Sequence, residues 1–218
     1  MNKKLIVISA ALLALLAFAI AAVVYTQQKS RAAAQQAQEN LAAMVRPHSP
    51  VHGNPAARVT IVEFIDPACE TCRAFYPLVK GLVQASFGQV RLVLRYAPLH
   101  QGSDEVVKLL EAARQQNLFW PVLETLLESQ SAWVLQHKAH PALAWEQLKN
   151  TGLDVARAKA DMNSSTVTNN VNQDVADART LNVTKTPGYF VNGKPLVNFG
   201  WEPLQTLVAN ELRETQGK

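Results

Sequence analysis

Residues 62–75 read VEFIDPACETCRAF, and the reading of this stretch decides the fold. Its left half closes a β-branched, apolar run, residues 58–65 (RVTIVEFI), which predicts a buried strand. Its right half opens a helix over 70–87, with Phe75, Leu78, Val79 and Leu82 on one face. Residues 90–96 (VRLVLRY) return as a second strand. Strand, helix and strand at this spacing make a βαβ unit with parallel strands. Cys69 and Cys72, the two cysteines of the 218-residue chain, fall at the strand-to-helix junction. Unpaired N–H groups and the positive end of the helix dipole there stabilise a thiolate at the first cysteine. A second thiol three residues on is placed to resolve a mixed disulfide formed by the first.

Two other uses of the pair stay open at this point. A structural disulfide is one, although a bridge that closes so short a loop removes little unfolded-state entropy. Metal binding is the other, because His48 and His52 are spaced H-x₃-H. A zinc site, however, more often holds its cysteine pair in a knuckle, and no second pair exists.

Beyond residue 96 the pattern turns helical. Ser103 with Asp104 and Glu105 reads as an N-cap and acidic first turn, followed by Val106, Val107, Leu110 and Ala113. A second helix passes through Phe119, Trp120, Leu123, Leu126 and Leu127, a third runs from Pro141 to Gly152, and a fourth starts at Leu153. No strand-like run interrupts this block, about 103–165. Residues 166–181 make another helix, GYFVNGKPLVNF a hairpin turning at Asn192-Gly193, and 202–214 a closing helix.

The N-terminal part is different in kind. Residues 5–25 hold 20 apolar residues out of 21, and the 24 residues between Lys4 and Lys29 carry no charge. As helix they rise about 36 Å, enough for a hydrocarbon core of ~30 Å. Lys3 and Lys4 precede the run with no rival basic cluster just after it, so segment 1–26 is expected to anchor the chain with everything beyond it exported. A cleaved signal peptide, with Ala17-Phe18-Ala19 or Ala19-Ile20-Ala21 as its site, leads to the same compartment. Residues 27–47, Ala- and Gln-rich and closed by Pro47, predict a helical stalk. Ala34, Ala37, Leu41 and Met44 in it have the spacing of a short coiled-coil seam, a possible route to a homo-oligomer, or of a solvated helix. Breakers at Pro50, Gly53 and Pro55 mark the boundary, and the folded domain is expected over 48–218. Without Lys3 and Lys4 the chain has 19 basic against 17 acidic residues, which is no footprint for nucleic acid. An exported compartment also favours disulfide chemistry at Cys69 and Cys72.

These elements resemble one family, the DsbA-like thiol-disulfide oxidoreductases of the bacterial periplasm. The resemblance covers roughly 58–214 and rests on VEFIDPACETC, NLFWPVLETLL and DVADARTLNVTKTPGYFVNG. It implies an α/β thioredoxin fold with an inserted helical domain. It implies that Pro187 is a cis-proline facing the active pair, and that Thr186 before it holds an extended substrate segment through its backbone. It implies that Glu63, an acid in an apolar strand, moves protons to and from Cys72; a capped structural glutamate is the alternative. One departure stands out. Many oxidising members carry Pro-His between the cysteines, whereas this chain has Glu70 and Thr71. Losing a cation and gaining an anion should disfavour the thiolate, so a mid-range redox potential is expected.

The expected function is thiol-disulfide exchange with exported proteins that carry cysteines, reset by a membrane redox partner, without cofactor or metal and without nucleic acid. An isomerase or reductase kept reduced by its partner is the rival within the class. A peptide-binding, chaperone or metal-binding module is the rival outside it. His100 and Lys185 read as locally bonded or solvated, and the four Trp residues as core and groove lining.

Overall fold

The computed structural model describes residues 3–216. Met1, Asn2, Gly217 and Lys218, which the segments 1–26 and 48–218 include, lie outside the described residues, as do the side chains of Lys3, Lys4 and Ala34. The chain divides into two compact units, Met1–Glu39 and Asn40–Lys218. Helix α1 (Lys3–Met44) runs without a break where an anchor and a stalk were expected. Its stretch Leu12–Leu41, mean hydropathy 1.5, is long and apolar enough to cross a membrane.

The second unit is built on a five-stranded sheet of order β1-β3-β2-β6-β7. Its members are β1 (Val51–Gly53), β2 (Val59–Ile65), β3 (Val90–Tyr96), β6 (Gly188–Val191) and β7 (Lys194–Pro195). Helix α2 (Glu70–Ala85) crosses from β2 to β3, which pair in parallel as the βαβ reading requires; the other pairs are antiparallel. Between β3 and β6 lie α3 (Ser103–Gln115), α4 (Phe119–Glu128) and α5 (Gln130–Trp133). The small hairpin β4 (Val134–Leu135) with β5 (Lys138–Ala139) follows, then α6 (Pro141–Gln147), α7 (Val155–Asp161) and α8 (Ser165–Thr180). Helix α9 (Trp201–Gln216) closes the chain.

Strand alternation sorts the side chains of the sheet onto two faces. Val59, Ile61, Glu63 and Ile65 of β2 share one face with Cys69, Cys72, Tyr76 and Val79, and with Tyr189 and Val191 of β6. Val62 and Phe64 share the other with Val93, Phe190, Ala178 of α8, and Met44.

That second cluster moves the domain boundary. The folded unit starts near Asn40, not at residue 48, because Met44 is fully buried and Leu41 and Val45 pack beside it. Two of the four seam positions, Leu41 and Met44, are thereby used inside the unit instead of facing a second helix. Four other expectations change. The breaker-rich segment before residue 58 contains β1, with Gly53 at φ 97; a Cβ there would meet Val83 Cγ1 at 2.8 Å. Ser103 does not cap α3. Gly102 holds that position at φ 82, where a Cβ would lie 2.5 Å from the Ala139 carbonyl oxygen, and the Ser103 hydroxyl is used elsewhere. The helix from Pro141 stops at Gln147, short of Gly152, and the helical block contains the β4–β5 hairpin. The expected turn at Asn192-Gly193 has both residues at positive φ, the geometry that Asn-Gly supplies.

Candidate active site

The loop between β2 and α2 is organised by Asp66. Its buried carboxylate accepts hydrogen bonds from the backbone N–H of Ala68 (2.9 Å), Leu99 (2.7 Å) and His100 (2.8 Å) and from the Ser103 hydroxyl (2.6 Å), and it meets His100 Nδ1 at 2.8 Å. His100 is thus locally bonded, as its loop position suggests. A second brace comes from the helical block. Buried Gln130 donates through Nε2 to the carbonyls of Pro67 (2.8 Å) and Cys69 (3.1 Å). Sequence reasoning missed both residues. Asp66-Pro67 carries a turn signal, but Gln130 has no local one.

Cys69 is the N-cap of α2, and its sulfur accepts the N–H of Cys72 at 3.4 Å. As a thiol it points at the Thr186 carbonyl oxygen, 3.2 Å away. Hydrogen bonding from the Cys72 thiol lowers its pKa from the ordinary 9.0 to about 5. Burial opposes that shift, while the Thr186 side chain and the backbone N–H groups of Cys72 and Thr71 add to it. The thiolate is therefore held strongly despite Glu70 and the neutral Thr71. Glu70 is solvent-exposed, where its charge is screened, and Thr71 contributes its backbone N–H regardless of its side chain. Cys72 is fully buried, and burial, the thiol bond with Cys69 and the charge of Glu63 push its pKa well above the usual value.

Glu63 sits on the same sheet face, 0% exposed, with neither carboxylate oxygen hydrogen-bonded. Burial raises its pKa from 4.5 to about 8; the adjacent Tyr189 hydroxyl opposes that rise, and charge on Cys69 adds to it. Tyr189 lies directly across from Glu63 in the β2–β6 register, and its hydroxyl is also buried outside hydrogen-bond geometry. The Thr186–Pro187 peptide is cis and immediately precedes β6. It lines a cavity of about 600 Å³ together with Thr71, Lys185, Tyr189, Val197 and Phe199. All five residues named from sequence, Glu63, Cys69, Cys72, Thr186 and Pro187, thus surround one point at the end of β2. His48 and His52 do not join them. His48 meets Asp174 at 2.6 Å, and His52 packs edge-on against Trp120.

A thioredoxin family model matches residues 45–210. A thioredoxin-like oxidoreductase from Silicibacter pomeroyi is 32% identical and superposes with a TM-score of 0.67, covering 78% of this chain and 94% of that one. The chain belongs to the thioredoxin superfamily, among its DsbA-like thiol-disulfide oxidoreductases. The disulfide bond formation protein D of Bacillus subtilis is 26% identical over 176 residues, 75% of this chain and 77% of that protein. The Na(+)/H(+) antiporter NhaA of Herminiimonas arsenicoxydans is 33% identical over 147 residues. That match takes in 67% of this chain and 22% of the antiporter, so the chain spans about a fifth of that protein's length. The fold is the thioredoxin α/β fold with an inserted helical block.

Proposed function

We propose that this DsbA-like oxidoreductase exchanges disulfides with exported proteins, from a membrane anchor formed by α1, and that a membrane redox partner resets its cysteine pair. The observation that supports this best is the asymmetry of the pair: Cys69 caps α2 and faces the Thr186 carbonyl, its thiolate favoured, while Cys72 is fully buried and its pKa is pushed far above the ordinary value. A pair so divided has one nucleophile and leaving group, Cys69, and one resolving thiol, Cys72.

In the oxidising direction a substrate thiolate attacks Cys69 Sγ of the Cys69–Cys72 disulfide. The Cys69–substrate bond forms, the Cys69–Cys72 bond breaks, and Cys72 leaves as a thiolate. Glu63, protonated at neutral pH, gives Cys72 its proton. A second substrate thiolate then attacks the substrate sulfur of the mixed disulfide and releases Cys69 as a stabilised thiolate. The substrate loses two electrons and the cysteine pair gains them; the partner later removes them. Thr186 and Pro187 position the substrate backbone against Cys69, with the Thr186 carbonyl already directed at the sulfur.

The test is to express Cys72→Ala, trap mixed disulfides, and read the redox state of Cys69–Cys72 in wild-type cells. Trapped complexes with a largely oxidised wild-type pair support this reading. A mostly reduced pair assigns the protein to isomerisation or reduction, and the absence of mixed disulfides assigns it to peptide binding without turnover.

A further inference from the structure

Three polar atoms beneath the cysteine pair have no hydrogen-bond partner: both carboxylate oxygens of Glu63 and the hydroxyl of Tyr189. Orphaned buried polar groups cost free energy and call for an explanation. Here they are next to one another, because Glu63 and Tyr189 are directly opposed in the antiparallel β2–β6 pair, where side chains on one face come closest. Glu63 has no route to water of its own, being fully buried. Tyr189 lines the cavity of about 600 Å³ that also holds Thr71, Thr186 and Pro187, but its hydroxyl is as buried as the Glu63 carboxyl. Its ring is fixed there by Phe199, stacked with centroids 6.5 Å apart, and by Phe75 at 6.3 Å.

We propose that Tyr189 is the positioning residue that holds the Glu63 carboxylate once its proton has gone to Cys72. The proposal rests on the proton role given to Glu63 above. After Glu63 has given its proton to Cys72, the carboxylate accepts a hydrogen bond from the Tyr189 hydroxyl. The hydroxyl keeps its own proton throughout, so Tyr189 stays neutral and the negative charge left by the transfer rests on Glu63. Tyr189 resists ionising, its pKa being raised by burial and by the charge of Glu63, which suits a group that donates a hydrogen bond without giving up its proton.

The titratable groups that face the pair are few. Cys69, Cys72 and Tyr76 come from the α2 side, and Tyr189 comes from β6. The β3 residue in register with Glu63 is Leu94, which cannot titrate. From α9, Leu204 and Val208 enter the same cluster, while Glu211 is tied to Asn192 Nδ2 at 3.1 Å.

The experiment uses the full-length chain in detergent and follows two quantities. One is the pH dependence of the rate at which dithiothreitol reduces Cys69–Cys72; the other is the titration of Glu63, read by carboxyl ¹³C NMR and assigned with Glu63→Gln. With Tyr189→Phe the Glu63 midpoint should rise by half a unit or more, and the rate above pH 7 should fall several-fold, with the Cys69 titration unmoved. Adding Tyr189→Phe to Glu63→Gln should have no further effect. Should Tyr189→Phe fail to fold, a fluorotyrosine placed at position 189, a stronger donor, must shift the Glu63 midpoint downward. An unchanged midpoint in these variants, or the full Tyr189→Phe loss persisting on the Glu63→Gln background, overturns the proposal. Absence of any exchange by the wild-type protein would instead overturn the reading of Glu63 as a proton donor, while the NMR arm still reports on Tyr189.

Discussion

Two ionisable groups are fully buried on opposite faces of the same sheet, Glu63 on β2 and Arg95 on β3, and their surroundings could hardly differ more. Arg95 is saturated. It donates to Asp174 Oδ1 at 2.9 Å, to Asp177 Oδ2 at 2.6 Å, and to the carbonyls of Met44 at 2.6 Å and Ala43 at 3.1 Å. Those carbonyls belong to the last turn of α1, which has no basic residue of its own, so Arg95 supplies the cation its C-terminal end favours. Neither Glu63 oxygen finds a partner in hydrogen-bond geometry, and what stabilises its charge is the nearby Tyr189 hydroxyl. A buried charge with every partner in place is a structural device. A buried carboxyl with none stays neutral until a neighbour takes its proton, and here the neighbour is a thiol pair.

Removing each group is the direct way to break this comparison. Arg95→Met leaves Asp174 and Asp177 without their shared partner and two α1 carbonyls without a donor. It should destabilise the folded unit by about 3–5 kcal/mol, the usual cost of breaking a buried pair on one side, in urea unfolding of the full-length chain followed by tryptophan fluorescence. A loss below about 1 kcal/mol would show that the cluster is solvated and that the contrast with Glu63 is false.

Glu63 should act in the opposite sense. Its folded pKa, about 8 against an ordinary 4.5, means the native state binds more protons than the unfolded chain between those values. Stability is then fully present below about pH 4.5 and declines as pH rises through 8, by up to ~1.4 kcal/mol per pH unit within that window. Glu63→Gln should flatten this decline and be the more stable protein at pH 8. Equal slopes for the two proteins over pH 5–8 would mean that Glu63 is ionised or paired.

The contrast also explains what could be read from the residues alone. Cys69, Cys72 and Glu63 were legible because each breaks a local pattern, a thiol pair at a helix start and an acid in an apolar strand, whereas Thr186 and Pro187 were named only through the resemblance to a family. Arg95 breaks the pattern as plainly as Glu63, standing in VRLVLRY, but its partners lie 51 to 82 residues away and no spacing announces them. For the same reason the end of α1 read as stalk, since only the packing of Met44 against Val62, Phe64 and Val93 reveals that it is core. Gln130 was illegible because a polar residue at the start of a short helix reads as solvated until the carbonyls it serves, 61 and 63 residues back, are known.

That brace gives a smaller prediction. Gln130→Leu keeps volume but removes both donors and leaves the Pro67 and Cys69 carbonyls unpaired in a buried setting, a cost of about 1–3 kcal/mol. If Gln130 belongs to the chemical side of the molecule, reduction by dithiothreitol should also slow in this variant. A stability loss with an unaltered rate would place it with Arg95 among purely structural residues.

The smallest effect concerns the residue between the cysteines and sharpens what the chemical side owes to side chains. The donors to Cys69 named above are the Cys72 thiol, the Thr186 side chain and the N–H groups of Cys72 and Thr71, so most of the stabilisation belongs to the helix start and the pair itself. Thiolate pKa values of about 7 in thioredoxin and about 3.5 in DsbA bracket the value of about 5 found here. Thr71→His adds a cation beside the sulfur while leaving the backbone N–H in place. It should lower the Cys69 midpoint, read from thiolate absorbance near 240 nm, by about one unit. One unit is ~1.4 kcal/mol, which raises the potential of a two-electron couple by about 30 mV. A much larger rise would mean that residue 71, and not the start of α2, governs how oxidising the pair is; no rise would mean that the donors already present leave nothing for a cation to add.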